Sequence, residues 1–137
     1  MSYIAQRLGT IDLFANLDES VLERVVASGA TIGHRAGATI VEQGRDDRSL
    51  HLVLEGNASV VVNGDQVGTL EMGDYFGETA LIDGEPRSAT IRAGDGGAKV
   101  FVISALAFEP LLADPAISRA MLVALTRRIR RLEAERA

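Results

Sequence analysis

The sequence predicts an α+β chain in which a central block of short antiparallel strands is preceded and followed by helices. Three observations predict it. Over residues 1–30 apolar residues recur at helical spacing, as Ile4 and Leu8, Ile11 and Phe14, then Val21, Leu22, Val25 and Val26. From Thr31 to Ile103 the chain changes to short runs rich in Val, Ile and Thr, punctuated by glycine at 33, 37, 44, 56, 64, 68, 73, 77 and 84, the rhythm of strands joined by tight turns. After Ser104 the helical spacing returns.

Each element has its own local signal. In the leading helical segment Asp18 is placed to cap a second helix whose apolar face starts at Val21 and Leu22, and Gly29 is placed to end it. Val60-Val61-Val62-Asn63-Gly64-Asp65-Gln66-Val67 is the clearest hairpin, because Asn-Gly tolerates the positive φ angles of a type I′ turn. Ala105 to Leu112 makes a short helix, Asp114-Pro115 a cap followed by proline at the first helical position, and residues 116–136 one long helix. On that helix Leu122, Leu125, Ile129 and Leu132 repeat in steps of three, four and three. The seam is either a core face or a short coiled-coil contact with a second copy of the chain, and the two readings are compatible.

Composition narrows the class of protein. A chain of 137 residues fits one domain with a real core and leaves no room for a second of comparable size. With no cysteine there are no disulfides and no thiolate metal sites, which fits a reducing compartment. Gln6, Arg7 and Asp12 interrupt the apolar residues of the amino terminus, so no signal peptide is expected there, and no apolar run reaches the length of a membrane span. The expected location is the cytoplasm. A net charge of −5 argues against general nucleic-acid binding. Arg127, Arg128, Arg130 and Arg131 form a local basic tract spread over more than one helix face, which reads first as a solvated surface beside Glu133 and Glu135.

The stretch from Phe76 to Ala93 carries the chemistry. Gly77 lets the backbone approach a ligand, Thr79 to Ile82 form one helical turn whose free N–H groups attract a phosphate, and Arg87 supplies a forked cationic donor. Glu78 is the odd member, because a carboxylate repels phosphate at short range and must serve another part of the ligand, such as a sugar hydroxyl. Glu78 and Arg87 pairing with one another across the loop is the alternative. The intervening glycines and the small residues at 80, 88 and 89 favour a pocket, while Gly84 after Asp83 reads as a turn residue.

Phe76, Gly77, Glu78, Thr79, Ala80, Leu81, Pro86, Arg87, Ser88, Ala89 and Thr90 together resemble the phosphate-binding cassette of the cyclic nucleotide-binding domain family, found in catabolite activator-type sensors and kinase regulatory subunits. Leu13 to Asp18 is similar to the helical phrase that precedes the strands in that family. The resemblance implies an antiparallel β-roll (a double-stranded β-helix, or jelly roll) with N-terminal helices and a long C-terminal helix. Residues 1–137 would then be a single domain: helical over 1–30, a roll over 31–103 with the cassette at 76–90, and helical again over 104–137. Gly37, Gly44, Gly56 and Gly73 fall where such a roll turns. His51 departs from the family, standing where relatives often carry an aromatic residue, and is expected to alter packing without touching the ligand.

The same resemblance implies a division of labour. Arg87 and the backbone N–H groups of Ala80 and Ser88 would hold the cyclic phosphate, Glu78 and the main chain at Gly77 the ribose 2′-hydroxyl, and Thr79 and Ala89 would complete the site. Arg131, Leu132 and Glu133 on the C-terminal helix are the candidate cap for the base, with no aromatic residue there to stack on it. Ser88 follows the arginine, where alanine goes with adenosine-type sites and threonine with guanine, and serine also occurs in bacterial cyclic AMP receptors. The expected ligand is cyclic AMP, with cyclic GMP as the alternative.

The expectation is therefore a non-enzymatic sensor, with no metal and no cofactor, that binds cyclic AMP and signals to an effector protein by reorienting its C-terminal helix. Three rivals are kept: a cyclic GMP-preferring sensor, a protein-interaction module of the same fold without ligand, and a cupin-like metal enzyme. The last requires a cluster of His and carboxylate ligands, whereas His34 and His51 stand without paired spacing. Catabolite activator-type proteins continue from a comparable long helix into a DNA-binding domain. Here the residues end at Ala137, so none is expected unless the chain is a fragment of a larger regulator.

Overall fold

Residues 2–136 are described by a computed structural model, apart from the side chains of Thr79 and Ala80. In chain order the elements are α1 (Tyr3–Leu8), α2 (Glu19–Ala27), β1 (Ala30–His34), β2 (Thr39–Val41), β3 (Ser49–Val62), β4 (Asp65–Leu70), β5 (Tyr75–Phe76), α3 (Glu78–Asp83), β6 (Thr90–Ser104), α4 (Ala105–Leu112) and α5 (Pro115–Arg136). They fall into two compact units. A helical unit joins the residues up to Ser28 with those from Leu106 onward, and a strand unit runs from Gly29 to Ala105.

In the helical unit the leading segment is not one continuous helical run. The α1 helix, whose first turn is capped by Ser2 Oγ accepting from the Ala5 N–H at 3.1 Å, stops at Leu8. Tight turns follow, with the N–H groups of Thr10, Ile11 and Phe14 donating to the carbonyls of Arg7, Leu8 and Ile11 at 3.1–3.3 Å. Gly9 and Thr10 explain the break: both are poor helix formers, and the Thr10 hydroxyl donates to the Arg7 carbonyl at 2.6 Å. Ile11 and Phe14 are buried all the same, because spacing of three marks one face in a tight turn as it does in a helix. The capping expectations are met in position and corrected in detail. Asp18 is the N-cap of α2 but its side chain makes no cap bond, and the helix ends at Ser28 as C-cap, followed by Gly29 without the positive φ of a left-handed cap. Glycine at 29 answers to packing, since a Cβ there would lie 2.5 Å from the Phe101 ring and 2.6 Å from the Val102 carbonyl.

The head of α5 is built as its sequence predicts. Pro115 is the first residue, and Asp114 Oδ1 accepts from the Ala116 N–H at 2.9 Å. Arg24 of α2 pairs with Asp114 at 2.8 Å and holds that carboxyl below its ordinary range. Phe14 and Phe108 pack with ring centroids 6.4 Å apart.

The strand unit is the predicted antiparallel roll. Its six strands run β1-β6-β3-β4, with β2 added to β6 and β5 to β3, all antiparallel. The long strands β3 and β6 pair from Ser49↔Ser104 to Val61↔Thr90, with register shifts between Val53 and Glu55 and between Gly56 and Ala58. These irregularities bend both strands. Gly56 (φ +79°) sits at the bend, where a Cβ would collide with the Gly97 carbonyl. At the β3–β4 hairpin Asn63 and Gly64 take φ +52° and +85°, as a type I′ turn requires. Val41, Val53, Ala58, Phe76, Ile91 and Val100 form the core beside which the candidate site lies.

Candidate functional site

The cassette is held on the roll by strand pairing. β5 pairs with β3 through His51↔Phe76 and Leu52↔Tyr75, and the chain then turns at Gly77 into α3. Gly77 has φ +94°. A Cβ on it would collide with the Ser49 carbonyl and come within 2.6 Å of Arg87 Nη1, so glycine is demanded by both conformation and space. Beyond α3 the Glu85 N–H donates to Asp83 Oδ1 at 2.8 Å and closes the turn that leads to Arg87.

Arg87 is fixed at both ends. Its main-chain N–H donates to the Arg45 carbonyl and its carbonyl accepts from the Gly44 N–H, each at 2.9 Å. Its residue exposure is only 5%. Nη2 donates to the Ser49 carbonyl at 3.1 Å and to Ser49 Oγ at 2.9 Å, while Nε stands 3.4 Å from Asp47 Oδ1. A guanidinium so far out of water needs partners, and these hold it in place. Asp47 and Ser49 lie 40 and 38 residues away in sequence, and no spacing rule joins them to the cassette. The charged run Asp46-Asp47-Arg48 leading into β3 at Ser49 is the nearest sequence signal to these partners.

A cavity of about 310 Å³ opens beside this arginine. Gly77, Glu78, Arg87, Ser88 and Ala89 line its polar end, and Val41, Val60, Leu70 and Ile91 form an apolar wall. The volume lies at the lower end of the range usual for small-molecule sites, about 300–1,000 Å³. Asp83 and Glu85 also line it, so among the described residues of its lining Arg87 is the one cationic side chain beside several carboxylates. Five of the residues expected to hold the ligand are thus brought together, and Phe76 and Pro86 of the cassette line the cavity with them. Thr79 and Ala80 belong to α3, but their side chains lie outside the described residues. Arg131, Leu132 and Glu133 are exposed on α5 and are not among the residues lining this cavity.

His51 stands behind the cassette. Its ring stacks on Phe76 with centroids 4.6 Å apart and planes 7° from parallel, so the imidazole packs there as a flat ring. Burial, reinforced by the neighbouring Arg87 guanidinium, lowers its pKa to about 4 and keeps the ring neutral near pH 7. Its Nδ1 is buried without a hydrogen-bond partner. Among the described residues no three His, Cys, Asp or Glu side chains are grouped to hold a metal ion, and no helix is long and apolar enough to cross a membrane.

Residues 31–114 match the cyclic nucleotide-binding domain family. The chain is 36% identical over 86 residues (63% of its length) to a cGMP-dependent protein kinase of Plasmodium berghei, and 36% identical over 87 residues (63%) to a cAMP-dependent protein kinase regulatory subunit of Schizosaccharomyces pombe. These matches span 10% and 21% of the length of those two proteins. Among solved structures, the N-terminal domain of a transcriptional regulator from Streptomyces coelicolor A3(2) superposes with a TM-score of 0.83 at 26% identity, covering 96% of this chain and 95% of that one.

Proposed function

The chain belongs to the cyclic nucleotide-binding domain family, and from that premise we propose that residues 1–137 act as one non-enzymatic, cytoplasmic sensor domain for 3′,5′-cyclic AMP. The observation that carries this reading is Arg87, a buried cation facing a cavity that Glu78 also lines. A cyclic nucleotide offers one negative charge, one free 2′-hydroxyl and a flat base. Arg87 suits the first, together with the backbone N–H groups of Ala80 and Ser88. Glu78 and the main chain at Gly77 suit the second, with Thr79 and Ala89 closing the site around the sugar phosphate. The apolar wall of Val41, Val60, Leu70 and Ile91 suits the base. A site for inorganic phosphate alone would have no use for a carboxylate at Glu78.

In this reading Arg131, Leu132 and Glu133 cover the base, and α5 carries the signal. Ligand binds better when the helix closes over it, so binding shifts the population toward that arrangement. The shift changes what α5 presents to an effector protein, or to a second copy of the chain along Leu122, Leu125, Ile129 and Leu132. Leu122, Ile129 and Leu132 are more than half exposed, as such a contact requires. A cyclic GMP preference is the second reading, because Ser88 lines the cavity and carries a hydroxyl that a guanine can engage. The two kinase relatives, one named for each nucleotide, give both readings a precedent.

Calorimetric titration with each nucleotide tests the proposal. Saturable binding with cyclic AMP preferred is expected, and an Arg87→Ala variant should bind about 10- to 100-fold more weakly, the worth of a charge-assisted contact of about 1.5–3 kcal/mol. No heat with either nucleotide at millimolar concentration refutes it.

A further inference from the structure

Apart from Arg131, a groove on the helical unit carries a chemistry that nucleotide binding leaves unused. Its volume is about 380 Å³, with Asp12, Ala15 and Asn16 on one wall and α5 on the other. From α5 it takes Ala116, Ala120, Val123, Ala124, Arg127 and Arg131, whose spacing places them on one helical face. The alanines make a shallow apolar floor that lets another backbone come close. Arg119 lines the groove as well, with Arg127 and Arg131.

What distinguishes these three arginines is that they line one groove together. Arg24, Arg45 and Arg48 are each paired with a carboxylate, at 2.8, 3.4 and 3.6 Å. Among the described residues no ion pair engages Arg119, Arg127 or Arg131, although all three are exposed. A chain of net charge −5 therefore concentrates three unneutralised cations along one groove that has a single carboxylate, Asp12, in its lining. From residue 119 to residue 131 the row extends about 18 Å along the helix axis, at 1.5 Å per residue.

We propose that this groove docks an acidic helical segment of a partner protein, with its small apolar residues on the alanine floor and its carboxylates on Arg119, Arg127 and Arg131. A helix fits the shape because an alanine floor admits a second helix backbone and the arginine row matches carboxylates repeated on one face of it. A nucleic acid fits worse, since its dense charge would meet the acidic remainder of the chain. A lipid surface fits worse too, being flat where the site is concave.

Fluorescence anisotropy with the full chain and a labelled helical peptide of Ala, Leu and Glu, with Glu on one face, tests the assignment. Saturable binding that weakens as salt is raised is expected. The Arg119→Glu/Arg127→Glu double variant should lose at least tenfold in affinity, and the matching peptide with Lys in place of Glu should bind that variant and not the parent. Circular dichroism and cyclic nucleotide titration of the variant separate loss of the groove from loss of the fold, and Arg119→Gln/Arg127→Gln supplies a milder change if charge reversal unfolds the chain. The proposal is overturned if the Gln analogue of the peptide binds as tightly, or if the double variant binds unchanged. It is equally overturned if only duplex DNA, phosphatidylglycerol vesicles or a second copy of the chain engages these arginines.

Discussion

Arg87 brings a charge almost completely out of water and sets it against a carboxylate at 3.4 Å that is itself half exposed, and two oxygens of Ser49. The desolvation is costly and only partly offset by these partners, which is why a ligand anion placed in the adjoining cavity would gain so much from it. Behind it, His51 supplies a second test at the same scale. Its ordinary pKa of 6.5 falls to about 4 in the fold. Between those values the unfolded chain binds the proton that the folded chain refuses, so stability rises with pH across that window and is lost as the pH falls through it. A gap of about 2.5 pH units at about 1.4 kcal/mol each sets the size of the effect at about 3.5 kcal/mol. A His51→Phe variant keeps the stack on Phe76 and removes both the titrating group and the unpartnered Nδ1. Thermal melts between pH 4 and pH 7 should find it more stable than the parent at the acid end, with a flatter profile. An unchanged slope would place the pH dependence elsewhere.

Among the elements, the β3–β4 hairpin shows how local chemistry and distant contacts combine. Asn63 takes a left-handed φ of +52°, and its side chain and N–H both bond the Gln43 side chain, at 3.0 and 2.9 Å. The Gln43 N–H in turn donates to Thr90 Oγ1, at the residue where the cassette passes into β6. Asn63→Ala should therefore cost about 1–2 kcal/mol in chemical denaturation, from the left-handed penalty and the lost side-chain bond to Gln43. If instead Asn63→Gly proves equally destabilising, the turn conformation is not the cause and the lost Gln43 bond is. At this scale much was legible. The hairpin residues, the span of α4 and the Asp114-Pro115 start of α5 follow from turn and capping chemistry that acts within a few residues. The break after α1 was not legible, because Ile11 and Phe14 keep the same spacing whether they lie in a helix or in tight turns.

For the molecule as a whole, the consequence of ligand binding is a thermodynamic one. A nucleotide that binds only the folded chain should raise its melting temperature, with a stabilisation of about 2.7 kcal/mol at a hundred times the dissociation constant. Differential scanning fluorimetry measures this directly. If the end of α5 covers the base, removing residues 127–137 should leave the roll folded by circular dichroism and weaken cyclic AMP by about tenfold or more; a truncated chain that binds as tightly as the parent removes α5 from the site.

The sequence by itself determined the fold class and marked the candidate cassette, and for one reason: both are written in short-range patterns. Glycine punctuation, Asn-Gly, Asp-Pro and the run from Phe76 to Thr90 each act over a few residues, so their meaning survives without knowledge of the rest of the chain. Only the tertiary structure decided what surrounds them. Asp47 and Ser49 reach Arg87 across about forty residues, Gly29 is required by the Phe101 ring, and Ala15 and Ala120 line one groove. Spacing says which face a residue occupies. What fills the space opposite that face is settled by packing between distant segments, and there the partners of Arg87 and the row of unpaired arginines on α5 are found.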